Sequence, residues 1–160
     1  MSESNRIVAD LAGSFESARV EDSAGQTVVR LDPSDWYPFA EAAKAAGFEV
    51  CVDVTAIDWM RDRPHRFEVI ANLLSMQHRI RLRMITTASR EEPGVASLVP
   101  VWPGVNFAER EVYDMFGIEF ENHPDLTRIL MPDDWEGFPL RKDFGVGGVP
   151  VQFKTSHQVN

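Results

Sequence analysis

The chain has 160 residues and a formal net charge of −9 at neutral pH, with 25 acidic against 16 basic side chains. This length is enough for one domain with a core of its own. The acidic excess argues against a nucleic-acid-binding protein, which must neutralise phosphates with Lys and Arg. Cys51 is the one cysteine of the sequence. Internal disulfides and cysteine-ligated zinc or iron–sulfur sites are therefore excluded, because each of them needs several thiolates.

The N-terminal residues have no basic segment followed by an apolar run, so they predict neither a secretory signal nor a transit sequence. Charges or prolines interrupt every apolar stretch before it reaches the roughly 18 residues of a membrane span. We therefore expect a chain that is soluble and cytoplasmic by itself.

The first half of the chain predicts two helices and a strand. Residues 7–11 fit a short helix, and residues 27–31 fit a strand that follows a turn. Apolar residues recur at three- and four-residue spacing from Trp36 to Ala46, which predicts a helix that ends at Gly47, although Pro38 must kink or delay it.

Three further strands follow that helix. Residues 48–57 alternate strictly, which predicts a half-buried strand with Phe48, Val50, Val52 and Val54 on one face and Cys51 on the other. Residues 66–75 and 79–86 predict an antiparallel pair joined by a tight connection at residues 76–78.

The segment 61–90 is basic within this acidic chain. It holds seven arginines and only two carboxylates, and Arg79, Arg81 and Arg83 alternate along one predicted strand. Such a row is usually a solvated strand face, and contact with an acidic partner is the less common alternative. We keep both interpretations.

A helix between Asn106 and Gly117 is predicted by the spacing of Asn106 and Glu109, which matches a capping box, and by Gly117 as its C-terminal stop. After Gly117, prolines and glycines exclude long regular elements, yet apolar side chains continue to occur. We expect this C-terminal arm, residues 118–160, to pack partly on another protein. The domain proper would then be residues 1–117, an α/β fold with a small mixed or antiparallel sheet of four or five strands flanked by helices.

Three side chains around this helix suggest a metal-assisted hydrolase as one alternative. Glu111 and Asp114 share a helix face, and His123 follows shortly. A structural interpretation competes with it, because Glu109 is accounted for by the helix cap and Arg110 can pair with Asp114 four residues on. No second histidine stands nearby for a transition-metal site.

Residues 109–130 and 139–143 carry the most specific pattern of the sequence. They read E-R-E-x-x-D-x-F-G-I-x-F-x-x-H-P-D-L-x-R-I-L and P-L-R-K-D. This pattern resembles the 30-kilodalton subunit of respiratory complex I, the proton-pumping NADH:quinone oxidoreductase, and the resemblance extends over most of the chain. Phe107, Asn122 and Phe138 depart from the family's usual Trp, Gly and His. Because Asn tolerates left-handed backbone, we expect the turn at Asn122 to be kept.

The resemblance implies a scaffold subunit of the peripheral arm, without catalytic, cofactor-binding or metal-binding residues of its own. It implies that FMN, iron–sulfur clusters and quinone belong to partner subunits, namely a quinone-site 49-kilodalton-type subunit and iron–sulfur subunits. The complex would lie on the cytoplasmic side of the cell membrane, and this chain would meet the membrane only through the complex. The equivalent subunit of a membrane-bound hydrogenase or other-donor dehydrogenase is an alternative. The residues that would join the C-terminal arm of this chain to partner subunits are Glu109, Arg110, Glu111, Asp114, Phe116, Gly117, His123, Pro124, Leu126, Arg128, Trp135, Pro139, Leu140, Arg141, Lys142 and Asp143.

Overall fold

The computed structural model describes residues 3–60 and 63–145. Its elements are helix α1 (Glu3–Ala12), strands β1 (Arg19–Ser23) and β2 (Gln26–Arg30), helix α2 (Pro33–Ala45), strands β3 (Val50–Asp58), β4 (Phe67–Ser75), β5 (Ile80–Ala88) and β6 (Gly94–Ala96), a 3-10 turn (Pro103–Val105), helix α3 (Asn106–Phe116) and strand β7 (Glu119–Glu121). None of the described helices has the length and apolar character that a membrane span requires.

The five long strands form one mixed sheet in the order β1-β2-β5-β4-β3. Strands β2 and β5 run parallel, and every other neighbouring pair in this sheet is antiparallel. A second, two-stranded sheet pairs β6 with β7 in parallel. The predicted α/β class, the strand number of the main sheet and the antiparallel β4–β5 pair are confirmed, whereas β1, β6 and β7 were not predicted.

The main core lies between the sheet and the three helices. Trp36 and Phe39 of α2 are fully buried against β-strand residues such as Leu82 and Met84, and α3 contributes Val112 to the same cluster. The opposite sheet face, called the outer face below, holds a separate small cluster of Val28, Ile70 and Ile85, all from strands. The helices therefore cover one face of the sheet.

A β-bulge in β3 changes which valines are buried. The pairing with β4 shifts between Cys51, which faces Leu73, and Asp53, which faces Asn72, so that Val52 is the extra residue. Val50 and Val52 are consequently 40% and 52% exposed, and the predicted burial of these two side chains is wrong. Cys51 is turned toward the core instead, and burial raises the pKa of its thiol to about 12.

The start of the C-terminal arm shares the core of the domain. Gly117 ends α3 with a left-handed φ of 69°, as predicted, and the next residues enter β7. Ile118 and Phe120 are buried in the main cluster. The core thus continues beyond the boundary placed after residue 117, while the packing of the arm on another protein stays a prediction.

Candidate partner-binding site

Asp114 fixes the middle of the arm to helix α3. Its side chain is fully buried, and its Oδ2 accepts the backbone N–H groups of Ile129 (3.1 Å), Leu130 (2.7 Å) and Met131 (2.8 Å). Arg128 Nη1 donates to Oδ1 at 2.6 Å. Burial pushes the pKa of Asp114 upward, but these four donors outweigh it and hold the pKa below its usual value. One ionised carboxylate therefore shapes four consecutive residues of the arm.

Two arginines complete the contact between α3 and the arm. Arg110 donates from Nε to the carbonyl of Thr127 and from Nη2 to the carbonyl of Arg128, both at 3.0 Å. Arg128 itself reaches the carbonyl of Gly137 at 3.1 Å. The predicted pair of Arg110 with Asp114 is wrong, because Arg128 occupies the carboxylate and Arg110 serves backbone carbonyls.

Glu109 is a buried carboxyl group and takes no part in helix capping. Its Oε2 accepts the hydroxyl of Ser97 at 2.6 Å, and its Oε1 accepts the N–H of Leu98 at 2.7 Å. The predicted capping box is wrong, because the cap residue is Val105 and no side chain caps the helix. Burial is the main cause that raises the pKa of Glu109 to about 7, although both hydrogen bonds act in the opposite direction.

His123 lies directly beside this carboxyl group. The two side chains are fully buried, with 3.9 Å between His123 Nε2 and Glu109 Oε2. The Nδ1 atom accepts the N–H of Asp125 at 3.1 Å, so in the neutral ring Nε2 carries the hydrogen and faces the carbonyl of Asn106 at 3.3 Å. Asn122 precedes it with φ at +63°, which confirms the expected left-handed turn.

The second contact of the arm closes over the C-terminus of α3. Arg141 donates through Nε to the carbonyl of Phe116, and its guanidinium lies 4.6 Å from the Phe138 ring centroid. The N–H of Leu140 donates to the carbonyl of Met115 at 3.0 Å. These bonds satisfy helix carbonyls that have no partner inside the helix.

A third contact was missed by the sequence analysis. Asp58 at the end of β3 receives Nε and Nη2 of the buried Arg66 at 3.0 and 2.8 Å, and it accepts the N–H of Lys142 at 2.9 Å. Arg66 also binds Asp143. Burial would raise the pKa of Asp58, but its hydrogen bonds with Arg66, Lys142 and Met60 lower it to about 2. The sequence signal for this contact was the carboxylate of Asp58, which occupies a buried position of the otherwise largely apolar strand β3.

The remaining predicted residues divide by exposure. Phe116 and Gly117 are buried, and Leu126, Trp135 and Pro139 are partly buried, whereas Glu111, Pro124, Leu140 and Lys142 are exposed. The structure adds three exposed apolar residues that the sequence analysis did not select. These are Phe107 (64% exposed), Ile129 (37%) and Leu130 (56%).

The geometry does not assemble the hydrolase alternative. Glu111 is exposed on α3, and both oxygens of Asp114 are engaged by the arm. His123 meets Glu109 instead. Within residues 3–60 and 63–145, no group of three or more His, Cys, Asp or Glu side chains is arranged to hold a metal ion.

The sequences of two relatives align with most of this chain. An NADH-quinone oxidoreductase subunit of Saccharopolyspora erythraea is 47% identical over 110 residues, which are 69% of this chain and 44% of that protein. The relative of the same name from Geobacter metallireducens is 38% identical over 151 residues, covering 92% of this chain and 93% of that protein. The chain therefore spans less than half the length of the first relative and nearly all of the second.

Solved structures share the fold. A trypsin-resistant fragment of Nqo5 is 30% identical, covers 76% of this chain and 98% of its own, and has a TM-score of 0.69. A chain of the archaeal membrane-bound sulfane sulfur reductase, a respiratory membrane complex, has a TM-score of 0.80 over 99% of both chains at 19% identity, which is a likeness of fold. The family model described as "Respiratory-chain NADH dehydrogenase, 30 Kd subunit" matches residues 29–150, and the chain belongs to this family.

Proposed function

We propose that this chain is a cofactor-free scaffold and assembly subunit of the peripheral arm of a complex I-type NADH:quinone oxidoreductase. In this role it supports electron transfer from NADH to quinone, coupled to proton translocation, on the cytoplasmic side of the cell membrane. FMN, the iron–sulfur clusters and the quinone site would belong to partner subunits, among them a quinone-site 49-kilodalton-type subunit. Family membership and the relatives' shared name support this role.

The observation that carries the proposal is a set of exposed apolar side chains on backbone that buried contacts hold in place. Leu130 and Leu140 are 56% and 53% exposed, and Phe107 is 64% exposed at the start of α3. The amide of Leu130 is bound by Asp114, and that of Leu140 by the carbonyl of Met115. A contiguous exposed apolar patch marks a protein interaction site, and we propose that these side chains form one.

Fixed backbone lowers the entropic cost of association. A loop that orders only on binding loses conformational freedom, and this loss subtracts from the affinity. Here residues 128–131 are already held by one carboxylate, and residues 140–143 by helix carbonyls, by Asp58 and by Arg66. We propose that Phe107, Ile129, Leu130 and Leu140 face the partner, and that the charged residues behind them hold the surface in shape.

The chemistry of the described residues favours a non-catalytic role. The thiol of Cys51, with a pKa near 12, is protonated at neutral pH and is a poor nucleophile or ligand. The carboxylates of Asp58 and Asp114 are saturated by donors from the chain itself. Both observations support a structural use of the conspicuous polar residues.

The test is assembly in the host organism. We expect Leu130→Asp and Leu140→Asp to shrink the native complex and to lower its NADH:quinone activity, because each variant places a charge in an apolar contact. Val20→Asp is the matched control, since Val20 is 49% exposed on the edge strand β1. A complex of normal size and activity in both leucine variants would refute the proposal. Co-purified subunits that carry a hydrogenase or another electron donor would point to the alternative complex.

A further inference from the structure

A groove lies at one end of the outer face of the sheet. It encloses about 790 Å³ between the β1–β2 turn and strands β3, β4 and β5. We call it the arginine groove. Its lining includes three arginines and one carboxylate together with amide and apolar side chains, namely Arg79, Arg81, Arg83, Asp53, Gln26, Asn72 and Val52.

Arginines near this sheet but outside the groove form ion pairs with carboxylates. Arg63 pairs with Glu68 at 2.7 Å, and Arg66 pairs with two aspartates. Among residues 3–60 and 63–145, no carboxylate lies within 4.0 Å of the guanidinium groups of the arginine groove. Arg83 donates from Nε to the neutral Oδ1 of Asn72 at 3.1 Å. In a chain with a net charge of −9, this groove therefore holds three arginines against one carboxylate, Asp53, which forms no ion pair with them.

Apolar side chains border the same groove. Val52, which the bulge turns outward, lines it and is 52% exposed. Val50, Leu74 and Arg81 lie in register across β3, β4 and β5, and Val50 is 40% exposed. The surface therefore combines positive charge with apolar area, which is the composition of a protein-binding patch.

We propose that the arginine groove is a second docking surface, which binds an extended acidic segment of a partner polypeptide. Arg81 and Arg83 point to one face of β5 about 7 Å apart, the distance between alternate residues of any extended chain. Carboxylates at alternate positions of the segment would meet the arginines, and an apolar side chain would cover Val52. A lone phosphate would leave the exposed valines uncovered. The acidic remainder of the chain repels such a segment and so directs it to the groove.

This surface is separate from the one proposed above for assembly. The arginine groove lies on the outer face, whereas α3 packs with the other helices in the main core on the opposite face. The inference thus goes beyond the proposed function, and it can be tested without it.

The first test uses the full 160-residue chain. The probe is a fluorescein-labelled peptide in which Glu and Ser alternate, followed by fluorescence anisotropy at constant ionic strength, with a Lys-Ser peptide as the charge-reversed control. We expect Arg81→Gln with Arg83→Gln to raise the Kd about tenfold. The matched control is Arg19→Gln with Arg90→Gln, which removes the same charge outside the groove and should leave the Kd unchanged. Should the double variant not fold, Arg81→Gln alone replaces it, because this side chain is exposed.

Three results would overturn the proposal. Equal weakening in both pairs of variants would mean diffuse attraction to positive charge. Equal binding of the Lys-Ser peptide would exclude recognition of carboxylates. Displacement of the Glu-Ser peptide by inorganic phosphate at constant ionic strength would identify a site for small anions.

The second test places a photoreactive amino acid at position 52 in the assembled complex. Cross-linking to an acidic stretch of another subunit, mapped by mass spectrometry, supports the proposal. Cross-links to non-acidic segments, or none at all, would overturn it. If the complex fails to assemble for another reason, that result bears on the proposed function alone. The peptide test then still decides whether the arginine groove binds an acidic segment.

Discussion

Arg66 and Asp143, separated by 77 positions in sequence, form a two-point ion pair with N–O distances of 2.8 and 2.7 Å. Arg66 is buried and also holds Asp58, whereas the side chain of Asp143 is 47% exposed. The last described residues of the C-terminal arm are thus held next to the start of β4 by Arg66, a side chain that is already buried in the domain.

Arg66→Ala should be strongly destabilising, since it leaves Asp58 buried without its counterion. We expect a loss of about 3–5 kcal/mol in the free energy of unfolding. Asp143→Asn should cost about 1 kcal/mol or less, because its partner keeps Asp58 and the pair is half exposed. Urea unfolding measures both values. Equal losses would show that the arm contact, and not the buried pair, dominates.

Asp114→Ala should loosen the arm before it unfolds the domain. The substitution leaves three N–H groups and Arg128 without their acceptor, so we expect a cost of about 3 kcal/mol or more. Hydrogen exchange should accelerate at the amides of Ile129, Leu130 and Met131 in particular. Glu111→Ala, on the exposed side of the same helix, is the control and should change stability by about 0.5 kcal/mol or less. Unchanged protection of the three amides would contradict the anchoring role.

The buried acid Glu109 predicts a pH dependence of stability. Its pKa of about 7 in the folded chain exceeds an unfolded value of about 4.3, so the folded chain binds the proton more tightly. The free energy of unfolding contributed by this group is full below about pH 4 and is lost as the pH rises toward 7. Glu109→Gln should flatten this slope, because Gln can still accept from Leu98 and donate to Ser97. The measurement is urea unfolding between these pH values with Glu111→Gln as control, and an unaltered slope in Glu109→Gln would contradict the prediction.

Gly117 allows a comparison of backbone strain with crowding. An added Cβ there would lie 2.4 Å from the Phe138 ring, at a φ of 69°, whereas at Gly25 (φ 79°) a Cβ meets nothing within 4 Å. Gly25→Ala should therefore cost about 1 kcal/mol, from the left-handed backbone alone. Gly117→Ala should cost about 1–3 kcal/mol more, since the ring and Arg141 must move. Similar thermal shifts in both variants would show that Phe138 gives way freely.

Periodicity and turn residues were sufficient to predict the elements that local sequence determines. The β4–β5 hairpin and the helix ending at Gly117 follow from nearest neighbours in the chain, whereas the turn at Asn122 was expected from the family resemblance. The bulge at Val52 does not, because it depends on the register with β4. The sequence therefore predicts strict alternation between the two faces of β3, whereas the bulge inserts Val52 as an extra residue.

The candidate site shows the same division. The pattern around α3 identified Glu109 and Asp114, but it could not identify their partners, since Ser97 and Arg128 come from other elements. Glu109 matched a capping spacing, yet the end of β6 lies close enough to bind its side chain. Such long-range contacts are set by tertiary packing, which a pattern within one helix does not contain.

The parallel pairing of β2 with β5 has a consequence for how the sheet forms. The β1–β2 hairpin and the β3-β4-β5 meander each close through neighbouring residues, whereas β2 and β5 meet only after the intervening helix and two strands are in place. Closing such a long loop is entropically unfavourable and slow. We expect the sheet to contain a seam along residues 27–30, where the last hydrogen bonds form during folding and the first ones open in native-state exchange.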